Sequence, residues 1–102
     1  MDESNAAKSL SALGHEARLG VFRLLVKAGD GGLNVGDIVQ HLSIPPSTLA
    51  HHLSALVDAG FVRQERFGRE IRNFADYDMM TELVDFLTKE CCVGLSQPDS
   101  AA

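Results

Sequence analysis

With 102 residues, of which 45% are apolar and 23% charged, the chain has the composition of one globular domain of ordinary size. Its apolar runs are shorter than the roughly 20 residues that a membrane-spanning helix needs, and its acidic start, MDESNAAKSL, does not resemble a signal peptide. We therefore expect a cytoplasmic protein. A net charge of −5 excludes a uniformly basic surface for nucleic acid, but it does not exclude a local basic element.

Two helices are predicted in the first third of the chain. Residues 1–5 are expected to be flexible, and a short helix should follow over residues 6–13. A longer helix is predicted over residues 16–28, and its apolar residues cover so wide an arc that it should be the central helix of the core. The sequence GDGG at 29–32 then indicates a loop.

Two short helices joined by a tight turn are predicted between Asn34 and Gly60. Asn34 is placed to cap the first helix, which carries apolar residues at i, i+3, i+4 and i+7. Pro45 ends that helix, and Pro46 fits the first position of the second. A left-handed cap is expected at Gly60. The pair is either a helix–turn–helix or an ordinary helical hairpin, because short helical pairs are common.

The second helix has one face that is small, polar and almost uncharged. A helix that enters the DNA major groove needs such a face, because bulky groups block the approach while short hydroxyls reach base edges or phosphates. Adjacent His51 and His52 point about 100° apart on a helix, which disfavours a shared metal. We expect His52 to face the core beside a polar partner. The residues predicted to contact DNA are Ser47, Thr48, His51 and Ser54.

After Gly60 the pattern changes from helical to extended. Residues 61–67 and 70–74 are predicted to form a hairpin with Gly68 and Arg69 at its tip. Its arginines outnumber its acids, whereas residues 75–102 are strongly acidic. A hairpin directly after a helix–turn–helix is the wing of a winged-helix domain, and basic wings lie along the phosphate backbone or in the minor groove. The alternative is a surface hairpin made soluble by arginine. The wing residues predicted to contact DNA are Arg66, Arg69 and Arg72.

A last helix is predicted over about residues 78–91, with an apolar stripe at helical spacing. The preceding elements already close a winged-helix core, so this helix and the N-terminal one have apolar surface to spare. Pairing both with a second copy gives a two-fold dimer that reads half-sites roughly 34–36 Å apart. The predicted fold is mostly α with a small β-hairpin, in the order ααααββα. Residues 6–94 form this DNA-binding and dimerisation domain, and residues 95–102 a flexible tail.

Three segments resemble the ArsR/SmtB family of dimeric winged-helix repressors, which leave their operators on binding a metal, metalloid or other small effector. They are LGHEARLGVFRLL at 13–25, STLAHHLSALVDAGFV at 47–62 and GRE at 68–70, and the resemblance covers about residues 10–94. It implies a transcriptional repressor that binds double-stranded operator DNA as a homodimer.

The resemblance is less specific for the effector. The C-x-C of some arsenic-sensing members is replaced by Asn34-Val35-Gly36, the last helix lacks the histidines of zinc-sensing members, and the second helix lacks the cysteine of persulfide-sensing members. The segment FLTKECCVG at 86–94 resembles the FLTENCC ending of a further arsenic-responsive subgroup. Some members of that subgroup carry a third cysteine where this chain has Pro98. The resemblance implies Cys91 and Cys92 as the metalloid ligands.

Thiolates are natural ligands of trivalent arsenic and antimony. Adjacent cysteines inside a helix diverge by about 100°, but at a fraying helix end both sulfur atoms could close on one atom. Two thiolates suit an arsenic that already carries one substituent, whereas arsenite needs a third thiolate from the partner chain or a small thiol. We therefore expect no obligatory cofactor, with trivalent arsenic or antimony as inducer. Cys91 and Cys92 are alternatively structural residues at a dimer contact or a redox switch.

Two other classes of function compete with that of a DNA-binding regulator. An enzyme is not expected, because the chain lacks a phosphate loop, a nucleophile motif and a convergent pair of carboxylates. A winged helix used only for protein–protein assembly would carry the same elements. Salt-dependent binding of duplex DNA distinguishes it from a regulator.

Overall fold

The computed structural model describes residues 1–96. It contains α1 (Glu3–Leu13), α2 (Glu16–Ala28), a 3₁₀ turn (Gly29–Gly31), α3 (Val35–Leu42), α4 (Pro46–Asp58), β1 (Val62–Phe67), β2 (Glu70–Ala75) and α5 (Tyr77–Thr88). The predicted order ααααββα is confirmed. Residues 97–102, which include Pro98 and most of the expected tail, lie outside the described residues. Among the residues described, no helix combines the length and the apolar content needed to cross a membrane.

The first helix begins at Glu3, three residues before the predicted start at Ala6. Asp2 explains the difference, because its side chain accepts a hydrogen bond from the backbone amide of Asn5 at 2.7 Å and caps the helix. The expectation that residues 1–5 are flexible is therefore corrected for Glu3 to Asn5, which form the first turn of α1. At the next junction, Nδ1 of His15 accepts from the amide of Ala17 at 3.2 Å and caps α2.

The helix–turn–helix is formed by α3 and α4, as the sequence predicted. A capping box begins α3, because Asn34 Oδ1 accepts from the amide of Asp37 at 2.8 Å while Asp37 Oδ2 accepts from the amide of Asn34 at 3.4 Å. The helix ends at Leu42, and the C-cap residue Ser43 adopts the left-handed conformation with φ 54°. Pro46 is the first residue of α4. The two prolines and the caps thus fix both ends of the turn.

The core is organised around α2, which was predicted to be central. The Phe22 ring of α2 meets the Phe61 ring edge to face, with 5.5 Å between the ring centroids. Side chains from α2, α3, α4 and the segment before β1 are completely buried there: Val21, Leu25, Ile38, Leu49, Leu56 and Phe61. This shared core fixes the angle at which α4 is presented to solvent.

The wing is an antiparallel hairpin in which Phe67 lies opposite Glu70, so that Gly68 and Arg69 form a two-residue turn. Gly68 has φ 65°, a conformation that glycine adopts at little cost. Leu33, just before α3, extends the hairpin, because its backbone exchanges hydrogen bonds with that of Asn73 at 3.0 and 2.8 Å. The wing is therefore attached to the chain segment that leads into the helix–turn–helix.

The last helix ends at Thr88, three residues before the predicted end at Cys91. Glu90 has φ 61° and Cys92 has φ 68°, and neither value is compatible with a right-handed helix. Cys91 and Cys92 therefore lie in a turn beyond the helix. On the helix itself, Leu83 is buried against the core while Val84 and Leu87 are exposed.

Candidate nucleic-acid interface and cysteine pair

The four α4 residues predicted to contact DNA lie together on its solvent face. Ser47, Thr48, His51 and Ser54 are all exposed, whereas Leu49, Leu53 and Leu56 are buried on the opposite side. Ala50 is also exposed between them and was missed in the sequence prediction. Because α4 has no Asp, Glu, Lys or Arg before Asp58, this face is narrow and electrically neutral when its histidine is neutral. Such a surface suits close approach to the floor of a major groove.

His52 faces the core, as expected, but its surroundings differ from the prediction. Its ring lies 4.8 Å from the His15 ring, measured between centroids, and within residues 1–96 its buried Nδ1 atom has no hydrogen-bond partner. Burial lowers the pKa of His52, and the nearby His15, Arg18 and His51 lower it further. His52 is therefore neutral at neutral pH and joins α4 to the start of α2.

The four arginines of the wing have different surroundings. Arg63 pairs with Glu65, and its guanidinium lies 4.7 Å from the Phe74 ring centroid. Arg72 pairs with Glu70 at 3.3 Å and donates to the carbonyl oxygen of Gly31 at 3.2 Å. By contrast, the described part of the chain holds no acidic partner for the exposed Arg66 and Arg69. These two remain available for phosphates, whereas Arg72 is engaged within the protein.

A polar link joins the wing to the helix–turn–helix. Asn34 Nδ2 donates to Glu70 Oε1 at 2.7 Å, across 36 positions of sequence. The hydrogen bond from Asn34 lowers the pKa of the Glu70 carboxyl, and Arg72 lowers it further. Asn34 was predicted only as a cap. No local pattern in the sequence signals its second partner.

The two cysteines meet in the turn after α5. Cys91 and Cys92 are both exposed and form a disulfide with each other, and the Cys91 amide donates to the carbonyl of Thr88 at 3.0 Å. A metalloid would require the reduced pair, whose sulfur atoms belong to neighbouring residues of one turn. Residues 1–96 contain no third cysteine and no cluster of three or more His, Cys, Asp or Glu side chains arranged to hold a metal ion. Within residues 1–96, the reduced pair would therefore offer two thiols from one turn and no third ligand beside them.

The fold, the neutral face of α4 and the basic wing tip together define a winged-helix DNA-binding protein. A family profile described as a helix-turn-helix domain matches residues 13–65. The chain is also 36% identical over 63 residues to an uncharacterized HTH-type transcriptional regulator of Methanocaldococcus jannaschii, covering 62% of this chain and 68% of the relative.

Solved structures give the same result. An ArsR-like transcriptional regulator from Rhodococcus sp. RHA1 has a TM-score of 0.74 and 26% identity, covering 82% of this chain and 76% of that one. The transcriptional repressor PagR of Bacillus anthracis has a TM-score of 0.69 and 27% identity, covering 82% of this chain and 93% of that one. A homodimeric winged helix-turn-helix DNA-binding domain from Mycobacterium bovis shares the fold. Its TM-score is 0.69 and its identity 22%, covering 92% of this chain and 87% of that one.

The chain belongs to the ArsR/SmtB family of helix–turn–helix transcriptional regulators. Its relatives are DNA-binding regulators and not enzymes, in agreement with the sequence prediction.

Proposed function

We propose that the protein is a homodimeric repressor that works in the cytoplasm and leaves its operator when a trivalent arsenic or antimony compound binds Cys91 and Cys92. The DNA-binding part of this proposal rests on the exposed, neutral face of α4 and on the two arginines of the wing tip. Within residues 1–96, neither Arg66 nor Arg69 has an acidic partner. Ser47, Thr48, His51 and Ser54 read the major groove, and the wing holds the backbone.

Charge distribution supports this orientation on DNA. The chain carries 14 acidic and 9 basic residues, so most of its surface repels DNA. The tip of the wing is an exception, because Arg66 and Arg69 flank the Gly68 turn and both are exposed. A protein with this pattern approaches DNA wing and α4 first, since the other surfaces are unfavourable.

Two exposed apolar faces support the dimer. On α5, Val84 is 53% exposed and Leu87 is 57% exposed, and on α1 Leu10 is 43% exposed. Such residues on two terminal helices are best covered by the same helices of a second copy. The repressor PagR and the homodimeric Mycobacterium bovis domain share this fold.

The position of the cysteine turn supports control from that end of the molecule. Cys91 lies three residues after the end of α5, the helix that carries the proposed dimer face. A ligand that binds both thiolates changes the end of that helix, and a change in dimer packing moves the two α4 helices out of register with the DNA. Release then requires that the effector bind the DNA-free state more tightly.

The test is fluorescence anisotropy on DNA from the protein's own promoter. Reduced protein, prepared with a phosphine because dithiols capture arsenic, is titrated with arsenite, methylated trivalent arsenic, antimonite, zinc and cadmium. We expect release by the arsenic and antimony compounds, and no release of the variant with Cys91→Ser and Cys92→Ser. Equal release of wild type and variant would exclude the cysteine site.

Two further arms of the same assay separate the alternatives. The metalloid must displace thiol protons, so it should bind more weakly at about pH 5.5 than at about pH 8. An oxidant is a second candidate signal, because the sulfur atoms of Cys91 and Cys92 lie next to each other. Release by oxidation alone, with no response of the reduced protein to arsenic or antimony, would make the protein a redox regulator.

A further inference from the structure

We propose that the hydrogen bond between Asn34 and Glu70 positions the wing relative to the helix–turn–helix, and so determines how much Arg69 contributes to DNA binding. Glu70 is the positioning residue and touches no DNA itself. The inference rests on the proposed wing contact of Arg69.

The contacts form a continuous chain across the domain. Asn34 Nδ2 donates to Glu70 Oε1 at 2.7 Å, Arg72 Nε donates to Glu70 Oε2 at 3.3 Å, and Arg72 Nη1 donates to the carbonyl of Gly31 at 3.2 Å. Both carboxylate oxygens of Glu70 are thereby used. The start of β2 is tied at once to the cap of α3 and to the loop before it.

The orientation of Asn34 is determined from two directions. Its Oδ1 accepts from the amide of Asp37 at 2.8 Å to cap α3, while its Nδ2 is the donor to Glu70. A reversed amide would lose both bonds. The two hydrogen bonds therefore hold the side chain in one orientation. That orientation is fixed relative to α3, the helix that packs against α4.

The tip of the wing needs a contact with the rest of the domain to hold it in place. A two-stranded hairpin is marginally stable by itself, and the backbone bridge between Leu33 and Asn73 holds only its base. Glu70 lies farther out, opposite Phe67 and directly after Arg69. A hydrogen bond at Glu70 thus restrains the residue next to the proposed phosphate contact, and Arg69 is presented at a fixed distance from α4.

Two variants break the link without removing the cap. Asn34→Asp keeps a capping oxygen but replaces the amide donor with a second carboxylate opposite Glu70. Combining it with Glu70→Gln exchanges amide and carboxylate, which restores a donor–acceptor pair at the native net charge. Glu70→Ala breaks the link from the other side, and circular dichroism verifies that each variant is folded.

The experiment measures how Arg69→Ala changes the salt dependence of binding to a labelled promoter duplex in each background. In the native background, Arg69→Ala should lower the salt slope by about one unit. With Asn34→Asp or Glu70→Ala present, its effect should be close to zero. The exchanged variant N34D/E70Q should recover most of the native effect. Ser54→Ala on α4 is the control, and its fold-loss of affinity should be the same in every background.

The outcomes are distinct. An equal effect of Arg69→Ala in the native, N34D and E70A backgrounds overturns the positioning role while leaving the wing contact in place. No effect of Arg69→Ala in the native background overturns the wing contact and the link's role with it. The proposal is supported if the effect of Arg69→Ala is lost in N34D and recovered in N34D/E70Q, because a merely structural bond would change stability without changing the contribution of Arg69 to DNA binding.

Discussion

At the scale of single residues, the surroundings of each arginine decide what it is able to contact. The sequence groups Arg63, Arg66, Arg69 and Arg72 as one basic cluster. In the fold, Arg63 and Arg72 are occupied by Glu65 and Glu70, whereas Arg66 and Arg69 extend from the tip. A count of basic residues therefore overstates the charge that the wing offers to DNA.

Arg69→Ala should lower the slope of log affinity against log salt by about one unit, because one phosphate contact is lost. Arg63→Ala is the matched control on the same wing, and its slope should stay near the wild-type value because Glu65 already neutralises Arg63. Fluorescence anisotropy over a range of salt concentrations measures both. Equal slopes for the two variants would contradict the assignment.

His52 should make folding stability depend on pH. Burial, together with the nearby His15, Arg18 and His51, places the pKa of His52 below its ordinary value of 6.5. The unfolded chain thus takes up this proton at a higher pH than the folded protein. The free energy of unfolding should decrease as the pH falls below about 6.5, until the lower pKa of the folded state is passed.

Urea unfolding at about pH 7.5 and about pH 5.5 checks this dependence. Replacing His52 with Gln should reduce the loss of stability between the two pH values. His41→Gln alters an exposed histidine and is the control. If H52Q and the wild type lost stability to the same extent, His52 would not be the group that couples folding to protons.

At the scale of the elements, α2 holds the domain together because one side of it is completely buried. Leu25→Ala should cost about 2–5 kcal/mol of unfolding free energy, since it removes a fully buried side chain and leaves a cavity. Leu19→Ala, in the same helix at 43% exposure, should cost less than about 1 kcal/mol. Urea denaturation measures both, and similar losses would mean that α2 is not the central helix.

The end of α5 shows how one element governs the proposed sensor. A helix continued through Cys91 and Cys92 would separate the two sulfur atoms by about 100° around its axis. Termination at Thr88 places both residues in a turn instead. The left-handed conformations of Glu90 and Cys92 decide this geometry. The apolar periodicity used to predict the helix carries no information about positive φ values at single residues.

At the scale of the whole molecule, the exposed faces of α1 and α5 should determine the oligomeric state. Val84→Lys places a charge in the proposed interface and should convert the proposed dimer to a monomer in sedimentation velocity, because burying an unpaired charge is costly. Asp85→Lys inserts the same group about 100° around the helix and should leave the dimer intact. A dimeric V84K variant would place the interface elsewhere.

The order of the residues alone determined the order of the elements and the exposed polar face of α4. Asn34, Pro45 and Pro46 act on the backbone within a few residues, so the bounds of α3 and α4 followed from them. The alternation of buried leucines and exposed small residues likewise identified the outer face of α4. These signals are local, and the tertiary structure left them unchanged.

Only the tertiary structure decided which polar groups meet. The bond between Asn34 and Glu70 and the one between Arg72 and Gly31 span 36 and 41 positions. The pairing of His15 with His52 likewise requires α2 and α4 to be packed together. Periodicity and capping describe neighbours along the chain, whereas these contacts depend on the packing of separate elements around one core. The same packing gives Arg72 a partner in the Gly31 carbonyl and leaves Arg66 and Arg69 exposed at the wing tip.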